Sequence, residues 1–534
     1  MIRIIRQTGF IAALVTLSLV GCSAGASNRT APGSTGEATG TTPATEPVDD
    51  GLTSALERPS EAPAPGANPS DEAPVTPMRT LGPSSTRLAA EGLFVSLPEL
   101  PGGARARHTL TDLGGTLLLV GGLGEEGAFG DVLAFHPGVG RFEITALKLA
   151  TPRYGHTATP LPGPDGRLGT ADDALLIAGG FDGHAAVPGL ELIQPDPDGD
   201  GRLDDARVVT LGRLPFGLTG HGAVLALQPT RPDSESVVVL HGGLAIPLTE
   251  SPGGRDRPAV TNATLRVEVR FAEDGEAGAR TEAAAQPSRA RRDHTLTALP
   301  GSDGRLGTLD DLVLVVGGRG LVLDGSRSGA TPTRARAGAA DGDNAGDTDS
   351  KNGTHGETTE ALELLSTPEV YEPLHDRWTA VEVLGEDAAL VARDRHRAVR
   401  LGRSVLLFGG RGRSGGIVEV VELRLDANNP ALAEAEVTGR LETAREYPEA
   451  ALVDGLVLIT GGFSEELGVA LDSAELFDPS LGRVLPLVSR LGAPRLFHAV
   501  EVFGGRVFLT GGYAEPRRFR RPDAEFFTVR EPGS

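Results

Sequence analysis

The chain has 534 residues, and its 72 acidic side chains against 50 basic ones give a formal net charge of -22 and a pI near 5.0. Such a surplus repels phosphate and argues against a nucleic-acid partner. A single cysteine, Cys22, excludes a disulfide framework and leaves no disulfide-linked partner to expect.

Residues 1–21 carry Arg3 and Arg6 ahead of an apolar run from Phe10 to Val20. The run is too short to span a bilayer comfortably and reads as a signal peptide. Leu19-Val20-Gly21-Cys22 resembles the lipobox of bacterial lipoproteins. The resemblance implies cleavage before Cys22, acylation of its thiol and new amine, and a membrane contact through that lipid anchor. The alternative is an ordinary secretory signal with a chance cysteine. Ser23, where some lipoproteins carry an inner-membrane retention Asp, points to the outer membrane of a bacterial envelope, leaflet unassigned. Residues 22–88 are rich in Ala, Pro, Gly, Ser, Thr and acidic residues, too poor in apolar side chains to offset the entropy of ordering, and read as a lipidated flexible tether.

From residue 89 to 534 the text repeats. A segment often containing Arg-x-x-His precedes a strand, a second apolar strand ends in a Gly pair, and a third ends near "FHP", "YEP" or "FDP". The pairs are Gly121-Gly122, Gly179-Gly180, Gly242-Gly243, Gly317-Gly318, Gly409-Gly410, Gly461-Gly462 and Gly511-Gly512. Runs such as "TLLLV", "SVVVL" and "LVLVV" read as buried strands, and each Gly pair permits a bend that a Cβ obstructs. A period near fifty residues with several strands per unit predicts an all-β propeller of seven blades. The pattern resembles the kelch repeat, best at "ALELLSTPEVYEPLHDRWTAV" (361–381), where Tyr371, Pro373 and Trp378 match family positions, and again at "LDSAELFDPSLGRV" (471–484). Most repeats lack the closing Trp. The last repeat is short of a fourth strand, which "GLFVSLPEL" (92–100) is expected to supply. The segment near 324–359 reads as a disordered insertion.

His108, His156, His221, His294, His396 and His498 occupy equivalent points, and Arg105, Arg153, Arg291, Arg393, Arg445 and Arg495 precede them. A residue supplied once per repeat does blade-to-blade work more often than it binds metal. The expected roles are hydrogen bonds to neighbouring backbone and Arg pairing with carboxylates near strand ends. The third repeat loses the Arg, and the sixth carries "REYPEA" where the His belongs.

Two copies of one acidic hairpin, "GPDGRLGTADD" (163–173) and "GSDGRLGTLDD" (301–311), fall between first and second strands. Asp-Gly supplies the turn. Asp165, Asp172 and Asp173, with Asp303, Asp310 and Asp311, are also candidates for calcium, as are Asp196, Asp198, Asp200 and Asp204 of "DPDGDGRLDD". That last loop resembles part of an EF-hand, but Arg207 stands where the closing Glu belongs. By the family resemblance these loops share one face, and the connections after the Gly pairs share the other, where related proteins often receive ligands.

No residue is assigned a catalytic role. A galactose-oxidase-like copper site needs a cysteine crosslinked to tyrosine, and the one cysteine is at the anchor position; neither copper nor an organic cofactor is expected. Sialidase Asp-boxes, a nucleophile elbow, a zinc helix and a phosphate loop are missing from the text. The expected function is an envelope-anchored binding or scaffolding protein recognising a protein or glycan. The alternatives are a carbohydrate-active enzyme, such as a kelch-like sugar epimerase, and a mainly structural envelope component. Non-repeated carboxylates, Arg and an aromatic around a central opening favour the enzyme; an exposed aromatic patch favours a protein partner.

Overall fold

A computed structural model describes residues 91–195, 205–229, 235–246, 259–272, 275–322, 362–487, 489–515 and 518–530. All of them fall in one unit of the chain, Thr53–Ser534. The signal segment, Cys22, the tether, the loop with Asp196, Asp198, Asp200 and Asp204, and the insertion at 324–359 lie outside the described residues.

The architecture is all-β, with one short 3-10 turn, Ala388–Val391, among the described residues. The four-stranded antiparallel sheets recur in chain order. Sheet 1 holds Thr109–Leu113, Thr116–Val120, Asp131–His136 and Arg141–Lys148. Sheet 2 holds Thr157–Leu161, Ala174–Ala178, Gly189–Gln194 and Arg207–Arg213. Sheets 3 and 4 begin at Gly222–Leu227 and Thr295–Leu299, and sheets 5, 6 and 7 at Arg397–Leu401, Glu449–Val453 and Ala499–Phe503. Sheet 5 gains a fifth strand, Glu382–Leu384, which pairs in parallel with Leu432–Glu434. Nothing in the repeat pattern announces that strand, because it belongs to a connection between units.

The second strand of each sheet is apolar without alternation because both of its faces are covered. In sheet 2, Leu175 and Ile177 join the core with Leu118 and Val120 of sheet 1, while Leu176 and Ala178 join Val238 and Leu240 of sheet 3. Adjacent residues therefore serve opposite neighbours, as the two-residue period of a strand requires. The same happens at every step. Val239 meets Val313, Leu314 meets Leu407, Phe408 meets Val457, Leu458 meets Leu509, and Phe508 meets Leu119 of sheet 1. First strands touch in the same cyclic order and return from Ala499–Phe503 to Thr109–Leu113. The result is a propeller-like closure in which no sheet keeps an open face.

Sheet 7 is completed from the other end of the described chain. Glu91–Leu97 lies antiparallel beside Ala524–Arg530, with Phe94 opposite Phe527, and ends before Pro98. The expected fourth strand is thus in place. The Phe94 and Phe527 rings sit 4.9 Å apart, and Phe527 is fully buried. Phe527→Ala should cost about 3–5 kcal/mol, the usual cost of removing a buried aromatic ring. Urea unfolding of the variant measures it, and a loss under about 1 kcal/mol would show that this pairing does not hold the fold closed.

Candidate functional site at the axial rim

In each sheet the start of the first strand pairs with the end of the second, as Thr109 does with Val120, so the Arg-x-x-His segment and the Gly pair share one end. The second Gly of every pair donates its N–H to the next sheet. Gly122 bonds the Arg153 carbonyl (2.9 Å), Gly318 that of Arg393 (2.8 Å), Gly462 that of Arg495 (2.9 Å), and Gly512 closes the cycle onto Arg105 (2.9 Å). Gly180, Gly243 and Gly410 bond Leu218, Arg291 and Arg445 in the same way. All fourteen glycines, from Gly121 and Gly122 to Gly511 and Gly512, have positive φ, as do Gly179, Gly242, Gly317, Gly409 and Gly461 with their partners. A Cβ on Gly317 would stand 2.1 Å from the Arg393 carbonyl oxygen, so no other residue fits this joint.

The histidines sit on these joints, and their hydrogen-bond partners are threonine hydroxyls of the preceding sheet, where sequence reasoning expected backbone. His108 pairs with Thr510 (2.7 Å), His156 with Thr109 (3.1 Å), His221 with Thr157 (2.9 Å), His396 with Thr295 (3.0 Å) and His498 with Thr460 (2.8 Å). Gly222 replaces that threonine in sheet 3, and His294 packs instead against the His241 ring, 5.3 Å between centroids. Burial drives all of them toward the neutral form. It takes His156 and His294 to about 3 and His221 to about 4, and sets His108, His241, His396 and His498 well below the usual value.

The repeated arginines are fully buried. Each sends Nη1 to the carbonyl of its own sheet's first Gly, Arg105 to Gly121 (3.2 Å), Arg445 to Gly461 (2.9 Å) and Arg495 to Gly511 (3.2 Å) among them. Carboxylates on the third strand take the rest: Asp131 for Arg105 (2.8 Å), Glu525 for Arg495 (2.7 Å), and Glu191, Glu369 and Glu475 for Arg153, Arg291 and Arg445. The four glutamates among them also accept backbone N–H groups, as Glu191 does from Ala150 (2.6 Å). Val421 occupies the Glu position in sheet 5, across from Leu407 just as Glu191 is across from Ile177. Arg393 is left with carbonyls, and burial pulls its pKa down to about 9 with only partial opposition from Glu419. In sheet 3 both partners change together, to Leu218 and Leu265.

Within this fixed frame, the residue before each His, or before Pro448 in sheet 6, is left-handed in all sheets: Arg107, Gly155, Gly220, Asp293, Arg395, Tyr447 and Phe497, with φ from 50 to 62°. Five are not glycine, and such backbone costs on the order of 1–3 kcal/mol each. Backbone bonds run between them, Arg107 to Phe497 (3.0 Å), Gly155 to Arg107 (2.9 Å), Arg395 to Asp293 (3.1 Å) and Tyr447 to Arg395 (2.8 Å). They therefore line a common rim around the axis. The residue one earlier bridges to the residue just after the Gly pair, as Tyr154 does to Phe181, Asp394 to Arg411 and Leu496 to Tyr513.

The rim has two sides. Sheets 4 to 6 make it ionic: Arg319 Nε holds Asp394 Oδ2 at 2.6 Å, Arg395 Nη1 holds Glu446 Oε2 at 2.7 Å, Arg411 reaches Glu465 at 2.8 Å, and Arg292 approaches Asp293 at 3.7 Å. Burial works against the Arg395 charge, but Tyr447, Glu446 and Asp394 outweigh it and raise its pKa. Sheets 6, 7, 1 and 2 make it aromatic. Tyr447 and Phe497 are 4.6 Å apart, Phe497 and Tyr513 6.3 Å, Tyr154 and Phe181 5.8 Å, and Arg107 lies 4.2 Å over the Phe497 ring. Beside the rim, Asp182, Val187, Thr210, Arg213 and Ile246 line a cavity of about 550 Å³ between sheets 2 and 3.

The acidic hairpins stand at the opposite ends of the strands. Asp172 Oδ2 accepts from Asp165 N–H (2.9 Å), Asp165 Oδ1 from Arg167 N–H (2.7 Å), and Asp173 Oδ2 from Gly169 N–H (2.7 Å). Asp310, Asp303 and Asp311 repeat these bonds to Asp303, Arg305 and Gly307 N–H. The Ser302 and Thr308 hydroxyls help draw Asp310 down to about 2, whereas burial lifts Asp173 to about 6. Among the described residues no group of three or more His, Cys, Asp or Glu is arranged to hold a metal ion. Nor is any described helix long and apolar enough to cross a membrane, which leaves membrane-crossing strands unaddressed.

Sequence reasoning named the repeated residues and passed over the rim. The signal was in the text: of "RARH", "RYGH", "LTGH", "RRDH", "RDRH", "REYP" and "RLFH", five keep both ends, the other two keep one, and all vary their middles. No protein-family model matches the chain. Two proteins of Oryza sativa subsp. japonica are similar to part of it. Adagio-like protein 1 is 30% identical over 133 residues, 24% of this chain and 21% of that protein. Putative adagio-like protein 2 is 30% identical over 135 residues, with the same shares. The match thus spans about a fifth of the length of these relatives.

Glu475→Gln should cost about 3–5 kcal/mol in urea unfolding, because it leaves the buried Arg445 without its counter-charge. The histidines set a pH dependence. Their folded pKa values lie below the unfolded 6.5, so their contribution is complete above pH 6.5 and is lost as pH falls toward 4. Asp173 at about 6 and Glu501 at about 7 act oppositely, gaining stability as pH falls, but the buried histidines outnumber them. Unfolding free energy should therefore drop between pH 7 and pH 5.5. His221→Gln should flatten that slope by up to about 1.4 kcal/mol per pH unit.

Proposed function

We propose that the chain is a seven-bladed kelch-type β-propeller acting as a binding or scaffolding protein, whose rim and surrounding loops engage a protein or glycan partner. One observation carries this reading. In the Arg-x-x-His segments the outer residues are repeated for assembly, while the two between them differ from sheet to sheet and bring ions and aromatic rings together at one end. A frame kept constant around variable, half-buried polar and aromatic side chains fits a recognition surface. The cyclic series of cores and the pairing of Glu91–Leu97 with Ala524–Arg530 support the blade number.

We further propose acylation of Cys22 and an envelope location at the outer membrane, both resting on the N-terminal sequence. Calcium at the acidic loops is a separate proposal; at 163–173 and 301–311 an ion must compete with the loops' own N–H donors. A second reading, a carbohydrate-active enzyme, is favoured by Asp394 and Glu446, buried carboxylates brought together through Arg395 at the rim.

Affinity capture from native envelope tests the binding reading, with calcium and with chelator in parallel. A partner retained by the wild-type chain should fall at least about tenfold with Arg411→Gln/Phe497→Leu and persist with Arg167→Ala in the distal hairpin. Equal capture by both variants would remove the rim from the function. Enrichment only with calcium would support the ion. Loss of an incorporated lipid label in Cys22→Ser tests the anchor.

A further inference from the structure

We propose that the hairpin end of the fold docks on a zwitterionic lipid surface and so turns the rim away from the membrane. The inference rests on the reading of Cys22 as a lipid anchor and adds the orientation of the body it holds. Among the described residues eleven large apolar side chains are exposed, and six of them stand at this end. Val139, Leu168, Leu306, Leu309, Leu374 and Leu481 occupy turn tips of sheets 1, 2, 4 and 6, between 38 and 59% exposed. The rim end has two, Leu467 and Val469, in a single hairpin, and the other three lie within strands of the sheets. Single exposed apolar residues need no explanation. A set gathered at one end, in one sequence context, does.

That context is an exposed arginine within three residues of five of the tips, in "VGR", "RL", "RL", "LHDR" and "LGR": Arg141, Arg167, Arg305, Arg377 and Arg483. Backbone bonds fix the turns, as Gly140 and Gly482 N–H bond the His136 and Asp478 carbonyls at 2.9 Å each. Arg141 and Arg377 hold Glu143 and Glu372, both at 2.7 Å. Asp172, Asp173, Asp310 and Asp311 are spent on N–H donors of their own hairpins, and Asp376 and Asp478 on Tyr371, Ala285 and Ser480. Asp165 and Asp303 stay exposed. Carboxylates outnumber arginines at these turns, so an anionic bilayer is repelled. A zwitterionic headgroup offers its phosphate to the arginines and its ammonium to the exposed aspartates, while the aliphatic tips reach the acyl boundary. Chain direction brings this end to the bilayer. Leu97 lies opposite Ala524, beside Thr510 and its Gly joint, and Glu91 opposite Arg530, so the strand starts at the hairpin end. The residues before it, Cys22 among them, therefore join the body on this side. An acyl chain on Cys22 makes the second, weaker contact an intramolecular one.

The test uses the full acylated chain in vesicles of phosphatidylethanolamine and phosphatidylcholine with spin-labelled acyl chains, in chelator. A fluorophore is attached to Leu306→Cys at the hairpin end or to Leu467→Cys at the rim end, the acylated Cys22 being closed to the dye. Lipid quenching should be at least about threefold stronger at Leu306→Cys than at Leu467→Cys. Adding Leu168→Asp and Leu481→Asp should cut it about threefold or more, with flotation on the vesicles unchanged because the anchor remains. Unchanged thermal midpoints of the variants exclude misfolding as the cause. A chain that floats without quenching at Leu306→Cys, or with equal quenching at both positions, overturns the docking and leaves the anchor standing. Quenching on phosphatidylglycerol vesicles alone overturns the headgroup assignment, since it requires a basic face. A wild-type chain that takes the dye at Cys22 and fails to float removes the anchor and the docking together.

Discussion

One backbone hydrogen bond, from the second glycine of each pair to a carbonyl of the next sheet, holds the assembly in register. It forms only because two successive residues adopt positive φ with no Cβ in the way. The buried Arg makes the joint two-ended: its carbonyl accepts from the preceding sheet, while its guanidinium reaches the Gly carbonyl and a third-strand carboxylate in its own. Each sheet is thereby pinned internally and to its neighbour through a single residue. Sheet 3, where Leu218 keeps the carbonyl and gives up the guanidinium, separates the two roles. The carbonyl is the part that every sheet retains.

Much of this was legible in the sequence because it recurs. Seven Gly pairs, unalternating apolar runs and a strand-like segment at 92–100 were enough to expect an all-β repeat closed by an early strand. The placement of 163–173 between Thr157–Leu161 and Ala174–Ala178 followed from the same alignment. Two things escaped. Repetition identified His108 and its equivalents but did not reveal that they meet threonine hydroxyls, since Thr510 and Thr109 come from different strand positions. The rim escaped for the opposite reason. Arg107, Asp293, Arg395, Tyr447 and Phe497 share a backbone state and no side-chain chemistry, so a search for repeated residues discards them.

The strain at those five positions links fold to function. A β-strand could not aim successive variable residues at one axis, because alternate side chains leave on opposite faces. A left-handed residue just before each first strand re-aims the chain, and the neighbouring sheet's backbone bonds hold it there. Cores between sheets supply the stability against which that strain is set. The rim can therefore change residue by residue without altering the joints, provided the backbone state is kept.

The pairing of Glu91–Leu97 with Ala524–Arg530 also dictates an order of events. The first described strand to be synthesised finds its partner only after the last has been made. Until then Ala524–Arg530 lacks its outer neighbour, and the face that Phe508 and Phe526 cover against Leu119 stays wet. Sheets 1 to 6 can assemble in sequence during synthesis, but ring closure waits for Ala524–Arg530 and bears the entropy of joining segments far apart in the chain. The cyclic fold thus makes its own edge temporary, since a chain that has not reached Ala524–Arg530 retains an unsealed β-edge open to aggregation.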